Sequence, residues 1–175
     1  MKPISIVCVG APSTGKSTLC KALAEKYKTQ WVLEYGRKYW EQNQVDRRLS
    51  QEQLVEIAIG QRESEDNAAR LADKFLFVDT EAIVTRQYAI DYYGQSTPEL
   101  DHYADLAAKR YSHFFLCATD IPYEDNWARS GEVHRERFQK RLIADLKNRK
   151  IPFTELRGNL ETRLAIVERV LQSLG

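Results

Sequence analysis

Residues 10–17 read Gly10-Ala11-Pro12-Ser13-Thr14-Gly15-Lys16-Ser17 and follow a short apolar run at residues 4–9. Two glycines separated by four residues, then Lys and Ser, match the Walker A pattern of a phosphate-binding loop, or P-loop. Glycine allows the backbone angles that turn successive N–H groups toward phosphate oxygens. We therefore predict that this loop binds a nucleoside triphosphate. The predicted nucleotide-binding residues of the loop are Gly10, Ser13, Thr14, Gly15, Lys16, Ser17 and Thr18.

Strand and helix patterns alternate on both sides of this loop. Apolar runs of strand length occur at residues 4–9, 31–33, 75–78, 114–118 and 151–155. Helical spacing of apolar residues, or a capping signal, marks the segments between and after these runs, beginning near residues 16, 50, 81, 97, 132 and 159. This alternation predicts a parallel sheet covered by helices. We expect one α/β domain over residues 1–175, with a five-stranded, mainly parallel sheet and helices on both faces.

Composition argues against several classes of protein. The chain has 175 residues and a formal net charge of +1, so no basic excess indicates a nucleic-acid partner. No apolar run approaches the roughly 20 residues of a membrane helix, and no secretory signal is apparent. The three cysteines are interpreted as buried thiols of a reducing compartment rather than a disulfide or metal site. A cytoplasmic location is expected, and the oligomeric state is not predicted.

The end of the third strand separates the classes of P-loop protein. The guanine-reading Asn-Lys-x-Asp motif of GTPases does not occur in the sequence. Motor and transport ATPases typically have adjacent Asp and Glu at this point, whereas here Thr80 separates Asp79 from Glu81. This spacing favours a small-molecule kinase, with Asp79 and Ser17 near Mg²⁺, Asp79 near the attacking hydroxyl, and Glu81 touching substrate. The alternatives are a helix cap for Asp79 and a first-turn acid for Glu81.

A second carboxylate, Glu34, follows the second predicted strand. Ligands of doubly wound sheets bind at the carboxyl ends of the strands, so Glu34 and Asp79 are expected to face the same cleft. Two such carboxylates can bind sugar hydroxyls and orient or deprotonate one of them. Glu34 as an ordinary surface acid is the alternative. Aromatic residues cluster in the same segments. We expect some of them to belong to the core and others to stack on a flat or cationic ring of the substrate. They are Tyr35, Tyr39, Trp40, Tyr88, Tyr92, Tyr93 and Trp127.

A polar segment at about residues 120–137 is predicted to be a lid over the phosphates. Kinases of this kind use lid arginines to stabilise charge on the transferring group, and Arg129 is the first candidate. Arg135 and Arg137 are reserve candidates, and a plain basic helix start is the alternative. After the fifth strand, Arg157 is predicted to border the nucleotide base, although a simple turn fits that position equally well.

Four sequence blocks, in their order along the chain, resemble the ribosylnicotinamide kinase domain of NadR-type proteins. They are the Walker A loop and residues Glu34 to Trp40, Phe77 to Glu81 and Asp120 to Gly131. The resemblance implies phosphorylation of nicotinamide riboside by ATP and Mg²⁺ to give nicotinamide mononucleotide. The adenylyltransferase and DNA-binding parts of full-length NadR proteins are not expected in this chain. The substrate-binding residues predicted from motifs and resemblance are Glu34, Tyr35, Arg37, Trp40, Asp79, Glu81, Tyr88, Asp120 and Trp127.

Three other functions stay open on the sequence. The chain could phosphorylate a different nucleoside, or bind nucleotide or lipid as a regulatory module without activity. The third alternative, a kinase of nucleic-acid ends, is disfavoured by the near-neutral charge. The intact Lys16, Ser17 and Asp79 argue against the inactive module.

Overall fold

The computed structural model describes residues 1–43, 48–123 and 132–175. Its strands are β1 (Ile4–Val9), β2 (Trp31–Val32), β3 (Phe75–Asp79), β4 (His113–Cys117) and β5 (Phe153–Leu156). Its helices are α1 (Lys16–Tyr27), α2 (Tyr35–Asn43), α3 (Gln51–Ala69), α4 (Ala82–Tyr93), α5 (Pro98–Ala107), α6 (Glu132–Asn148) and α7 (Leu160–Leu174).

The strands form one sheet in the order β2-β3-β1-β4-β5, and every neighbouring pair is parallel. The predicted α/β fold is therefore confirmed, and the sheet is entirely rather than mainly parallel. The central strand β1 pairs with β3 on one side, where Cys8 lies opposite Asp79, and with β4 on the other. This order brings the carboxyl ends of β1, β3 and β4 together at one edge of the sheet.

Apolar side chains cover the sheet on both faces. On one face, Ile6 and Cys8 of β1 belong to a core with α1 and α7, represented by Leu19 and Val167. On the other face, Val7 and Val9 belong to a larger core with α3, α4, α5 and α6. The cysteines at 8, 20 and 117 are buried free thiols, as the sequence predicted. No helix among the described residues is both long and apolar enough to cross a membrane.

Local capping chemistry explains where three helices begin. Ser50 accepts a hydrogen bond from the Gln53 backbone N–H, and the Gln53 side chain accepts one from the Ser50 N–H, which completes the predicted capping box of α3. Thr97 caps α5 by accepting a single hydrogen bond from the Leu100 backbone N–H at 3.2 Å, before a proline at the first helical position. Asn159 caps α7 through the backbone N–H of Thr162.

Helix α2 was not anticipated from the sequence. Its nine residues include no fully buried side chain, and only the aromatic residues Tyr35, Tyr39 and Trp40 pack against the core, so its apolar face is too short to stand out in the sequence. Strand β2 ends at Val32, and Glu34 lies in the short connection before α2 rather than at the end of the strand. The predicted position of Glu34 at the carboxyl edge of the sheet nevertheless holds.

Helix α2 packs on α3 at a glycine. The Tyr35 ring lies so close to Gly60 that a Cβ at position 60 would overlap the ring. Because Gly60 has no side chain, the beginning of α2 can lie close to α3. The connection that carries Glu34 is thereby also held close to α3.

Replacing Gly60 with alanine should destabilise the protein, although this change normally stabilises a helix by about 1 kcal/mol. The added methyl must displace the Tyr35 ring, and overpacking of this kind typically costs about 1–3 kcal/mol. The measurement is the free energy of unfolding in urea. In a Tyr35→Ala background the same Gly60→Ala change should become neutral or stabilising, and an equal loss in both backgrounds would contradict the proposed contact.

Candidate active site

The P-loop begins where the chain leaves β1 at Gly10. This residue has φ 152°, and a Cβ there would lie 2.8 Å from the carbonyl oxygen of Cys117. Only glycine fits such a close approach of two backbones. The loop continues through positive φ angles at Ser13 (59°) and at Gly15 (83°), the residue immediately before α1. These angles turn the loop around the N-terminus of α1, where a helix favours an anion.

Two side chains of the loop bind its own backbone. The carbonyl oxygen of Ala11 accepts hydrogen bonds from Thr14 Oγ1 at 2.8 Å and from Lys16 Nζ at 2.9 Å. Thr14 is fully buried, and Lys16 is 7% exposed. The position of Ala11 therefore helps to set the position of the Lys16 ammonium group.

Three side chains from outside the loop each bind one further backbone group of it. Gln139 of α6 accepts a hydrogen bond from the Ala11 N–H at 2.8 Å. Arg135, one helical turn earlier, donates to the Ser13 carbonyl at 3.2 Å, and Arg163 of α7 donates to the Thr14 carbonyl. All three side chains are buried.

The sequence analysis missed the buried roles of Gln139 and Arg163, but a signal for them exists. Each residue occupies a helical position that spacing assigns to an apolar stripe. Gln139 precedes the buried Leu142 by three residues, and Arg163 precedes the buried Val167 by four. A polar residue at a core position must find buried partners, and here those partners are the P-loop and the strand ends.

The carboxylate of Asp79 lies directly beside the P-loop. It is fully buried, and it accepts hydrogen bonds from Ser17 Oγ and from Thr80 Oγ1, the latter at 3.1 Å. Mg²⁺ in kinases is held by one or two protein oxygens together with phosphate and water oxygens. An adjacent hydroxyl and carboxylate fit that donor set. The described residues contain no cluster of three or more His, Cys, Asp or Glu that could hold a metal by themselves.

A cavity of about 460 Å³ extends from the P-loop to the aromatic residues of α2 and α4. The predicted residues that line it are Ser13, Thr14, Gly15, Lys16, Ser17, Thr18, Glu34, Arg37, Trp40 and Tyr88. Lining residues that the site prediction did not include are Pro12, Gly36, Leu49, Leu54, Ile57, Gln61, Thr80, Thr85, Tyr92, Ile121 and Pro122. Phosphate-binding and carboxylate-bearing walls therefore belong to one continuous space.

The far half of the cavity combines one carboxylate with several aromatic rings. Trp40 comes from α2, Tyr88 and Tyr92 come from α4, and Glu34 lies in the connection before α2. Burial raises the pKa of Tyr92 to about 12, and the nearby negative charges of Asp91 and Glu34 add to the rise. Tyr92 is therefore a neutral phenol at physiological pH. This wall offers flat faces that suit a flat cationic ring, and it carries one carboxylate together with the guanidinium of Arg37.

Gln61 supports this wall from α3. Its Oε1 accepts a hydrogen bond from the Tyr35 N–H at 2.9 Å, next to Glu34 in the chain. Behind it, the buried Glu65 accepts hydrogen bonds from the Tyr111 hydroxyl and Arg110 Nε, each at 2.6 Å. Like Gln139, Gln61 stands in an apolar stripe, here with Leu54, Ile57 and Ala58, and the sequence analysis did not single it out.

Six predicted ligand residues are absent from the cavity wall that the described residues form. Two of them, Gly10 and Asp79, lie directly behind it, at the start of the P-loop and beside Ser17. The other four are Tyr35, Asp120, Arg157 and Glu81. The Tyr35 ring packs on Gly60, as described above. Asp120 pairs with Arg163 at 2.7 Å and accepts the Gly158 N–H at 2.6 Å. Burial acts to raise the pKa of Asp120, but these two interactions outweigh it and hold that pKa below its ordinary value. Arg157 is largely exposed and pairs with Glu155. Their predicted ligand contacts stay predictions.

Glu81 is the fourth of these residues. It is fully buried, and its carboxylate accepts hydrogen bonds from the backbone N–H groups of Ile83 at 2.7 Å and Val84 at 3.3 Å. It therefore caps α4, close to the first-turn alternative raised from the sequence. Burial raises the pKa of Glu81 to about 8, although the hydrogen bond from the Ile83 N–H acts against the rise.

The predicted lid falls largely outside the described residues. Trp127 and Arg129 both lie in residues 124–131, so their predicted roles stay predictions. Of the two reserve arginines, Arg135 is buried and also donates to the carbonyls of Ile121 and Thr119, each at 3.0 Å. Arg137 lies at the surface, 3.5 Å from Asp91. In this arrangement Arg135 supports the P-loop rather than facing the cavity.

Comparison with known proteins gives one family match and several relatives. The profile of the family described as AAA domain matches residues 5–163. The trifunctional NAD biosynthesis/regulator protein NadR of Salmonella typhimurium is 29% identical over 98% of this chain, and that of Escherichia coli is 28% identical over the same share. The chain spans 43% of the length of each of these relatives. These matches confirm the resemblance to NadR-type proteins that the motifs indicated.

Solved structures with the same fold include NadR and a nucleoside kinase. A NadR protein in complex with NR has a TM-score of 0.77 and 24% identity, covering 98% of this chain and 51% of that one. A NadR protein in complex with NAD and AMP-PNP has a TM-score of 0.78 at 23% identity. A deoxyadenosine kinase from M. mycoides, with a TM-score of 0.71 and 15% identity, is covered over its whole length.

The raised pKa of Glu81 predicts a specific pH dependence of stability. Between about pH 4.5 and 8 the folded protein keeps a proton that the unfolded chain has lost, so the free energy of unfolding should fall as pH rises. Glu81→Gln removes this term while keeping an oxygen that can cap α4. Across this window the unfolding free energy of the wild type, measured relative to the variant, should fall by up to about 1.4 kcal/mol per pH unit. Parallel pH profiles would mean that Glu81 is ionised throughout.

Proposed function

We propose that this chain, which belongs to the AAA domain family, is a kinase that transfers the γ-phosphoryl group of ATP to the 5′-hydroxyl of nicotinamide riboside. One observation carries the proposal. A single cavity joins a complete P-loop to a wall of one carboxylate and several aromatic rings. A phosphate donor and a flat, cationic nucleoside can therefore meet in the same space.

The P-loop end of the cavity suits the triphosphate. Backbone N–H groups of the loop, the N-terminus of α1 and the Lys16 ammonium all favour the β- and γ-phosphates. Ser17 and Asp79 would hold Mg²⁺, which when bound neutralises charge on the phosphate oxygens. Ser17 and Asp79 already lie within hydrogen-bonding distance of each other, so little rearrangement is needed for both to contact one ion.

The opposite end suits a pyridinium nucleoside. Trp40 and Tyr88 offer aromatic faces to the positive ring, and Glu34 offers a carboxylate for the ribose hydroxyls. NR, the ligand of one solved NadR protein, is the abbreviation of nicotinamide riboside, and AMP-PNP, the ligand of another, is an analogue of ATP. Both ligands support the proposed pair of substrates.

The reaction forms one bond and breaks another. The 5′-hydroxyl oxygen bonds to the γ-phosphorus, the bond from that phosphorus to the β,γ-bridging oxygen breaks, and ADP leaves. The hydroxyl proton passes to a carboxylate, for which Asp79 is our first candidate, while Glu34 holds the ribose. Arg129 is proposed to stabilise charge on the equatorial oxygens from the lid, beyond what Lys16 covers.

The proposal covers only part of what the longer relatives do. The relatives are described as trifunctional, and we propose only the kinase activity for this chain. We also propose that its 175 residues form one domain that acts in the cytoplasm. We propose no nucleic-acid or membrane partner. A kinase for another nucleoside is the second candidate, because the fold also matches a deoxyadenosine kinase over that protein's whole length.

A panel of nucleosides distinguishes these two candidates. With ATP and Mg²⁺, the protein should convert nicotinamide riboside to its monophosphate with a higher kcat/KM than for uridine, cytidine, adenosine or deoxyadenosine. Lys16→Ala is the control, since loss of the P-loop cation should nearly abolish transfer if the activity belongs to this site. Preference for an ordinary nucleoside would reject the pyridinium substrate and retain the kinase.

The two carboxylates should differ in their kinetic effects. Asp79→Asn should chiefly lower kcat, because general-base assistance typically contributes ~10²–10⁴-fold. Glu34→Gln should chiefly raise the KM for nicotinamide riboside, since it weakens ribose binding in the ground state and the transition state alike. Steady-state kinetics with each substrate varied in turn measure both effects. The opposite pair of phenotypes would exchange the two roles.

A further inference from the structure

Gln139 connects two backbone groups at the point where strands β1 and β4 separate. The last paired residues of the two strands are Val9 and Leu116. Beyond them, Gln139 Oε1 accepts the Ala11 N–H at 2.8 Å, and its Nε2 donates to the Cys117 carbonyl at 2.9 Å. The side-chain amide thus extends the hydrogen bonding of the sheet after Gly10 has turned the chain away.

The two hydrogen bonds fix which way round the Gln139 side-chain amide lies. Its oxygen must face the Ala11 N–H and its nitrogen must face the Cys117 carbonyl, because each partner offers only a donor or only an acceptor. Gln139 is 6% exposed, so water cannot readily replace it. Both of these backbone groups therefore depend on this side chain.

The effect of Gln139 reaches the P-loop lysine through one residue. Gln139 binds the N–H of Ala11. The carbonyl oxygen of Ala11 in turn accepts hydrogen bonds from Lys16 Nζ at 2.9 Å and from Thr14 Oγ1 at 2.8 Å. A shift of Ala11 would move the partner that orients the Lys16 ammonium. Gln139 makes no part of the described cavity wall, so it can affect nucleotide only through the groups that it holds, of which Ala11 is the one that binds Lys16.

We infer that Gln139 is a positioning residue for the P-loop, which holds Ala11 in the orientation that places Lys16 for nucleotide binding. The inference rests on the proposed function only in that the loop binds ATP. It also gives α6 a direct connection to the phosphate site, with Arg135 on the same helical face donating to Ser13.

Gln139→Glu tests this inference through pH. When the glutamic acid is protonated, its carbonyl oxygen can accept the Ala11 N–H and its O–H can donate to Cys117, which reproduces both bonds of the amide. When it is ionised, a carboxylate oxygen faces the Cys117 carbonyl and repels it. Burial will raise the pKa of this new carboxyl above its usual value near ~4.3, which brings the titration into an accessible range.

The measurement is the Kd of AMP-PNP with Mg²⁺ at about pH 5.5 and about pH 8, each relative to the wild type at the same pH. Gln139→Glu should bind about tenfold or more weakly at the higher pH, and within about threefold of the wild type at the lower pH. Gln139→Met, similar in shape but without the amide, should lose affinity to the same degree at both pH values. Gln172→Glu, the same change at an exposed position of α7, should bind as the wild type does.

Each outcome decides a separate question. A loss in Gln139→Glu that is the same at both pH values, or wild-type affinity in a folded Gln139→Met, would overturn the positioning role. If Gln139→Glu does not fold at the higher pH, the affinity of Gln139→Met decides the matter alone. If the wild type itself does not bind AMP-PNP, the proposed kinase function fails, and the positioning role fails with it.

Discussion

The turn at Gly10 is the constraint on which the site depends. A loop that directs its N–H groups at phosphate cannot use ordinary ladder hydrogen bonds, so its carbonyls and its first N–H need other partners. Lys16 and Thr14 satisfy the carbonyl of Ala11 from within the loop. Gln139 and Arg163 satisfy the Ala11 N–H and the Thr14 carbonyl from helices on opposite faces of the sheet. The P-loop is thus held both by its own residues and by helices on the two faces of the sheet.

The strand order brings the residues of the site together around the turn at Gly10. Because β1 lies between β3 and β4, the end of β3 brings Asp79 against Ser17, while the end of β4 provides the carbonyl of Cys117 that Gln139 binds. Neither partner is near the P-loop in sequence. Parallel pairing alone places these carboxyl ends at one edge, which is where ligands of open α/β sheets bind.

Buried polar residues support the aromatic end of the cavity from behind. Glu81 caps α4, which carries Tyr88, and Gln61 binds the backbone beside Glu34. Both lie in a low-dielectric interior where a satisfied hydrogen bond is difficult to exchange for water. Polar contacts behind the aromatic wall therefore hold the elements that carry it.

The sequence alone determined the P-loop, the five strands and most helix starts, and it predicted that Asp79 and Ser17 both lie near Mg²⁺, because these depend on local spacing and on the known geometry of parallel sheets. It did not predict α2, which has no fully buried side chain, nor the structural use of Asp120, and it left Glu81 open between a substrate contact and a first-turn acid. Gln61, Gln139 and Arg163 could be flagged only as polar residues in apolar stripes. What each one binds was decided by tertiary structure, because their partners are backbone groups distant in the chain that only the folded sheet brings within hydrogen-bonding distance.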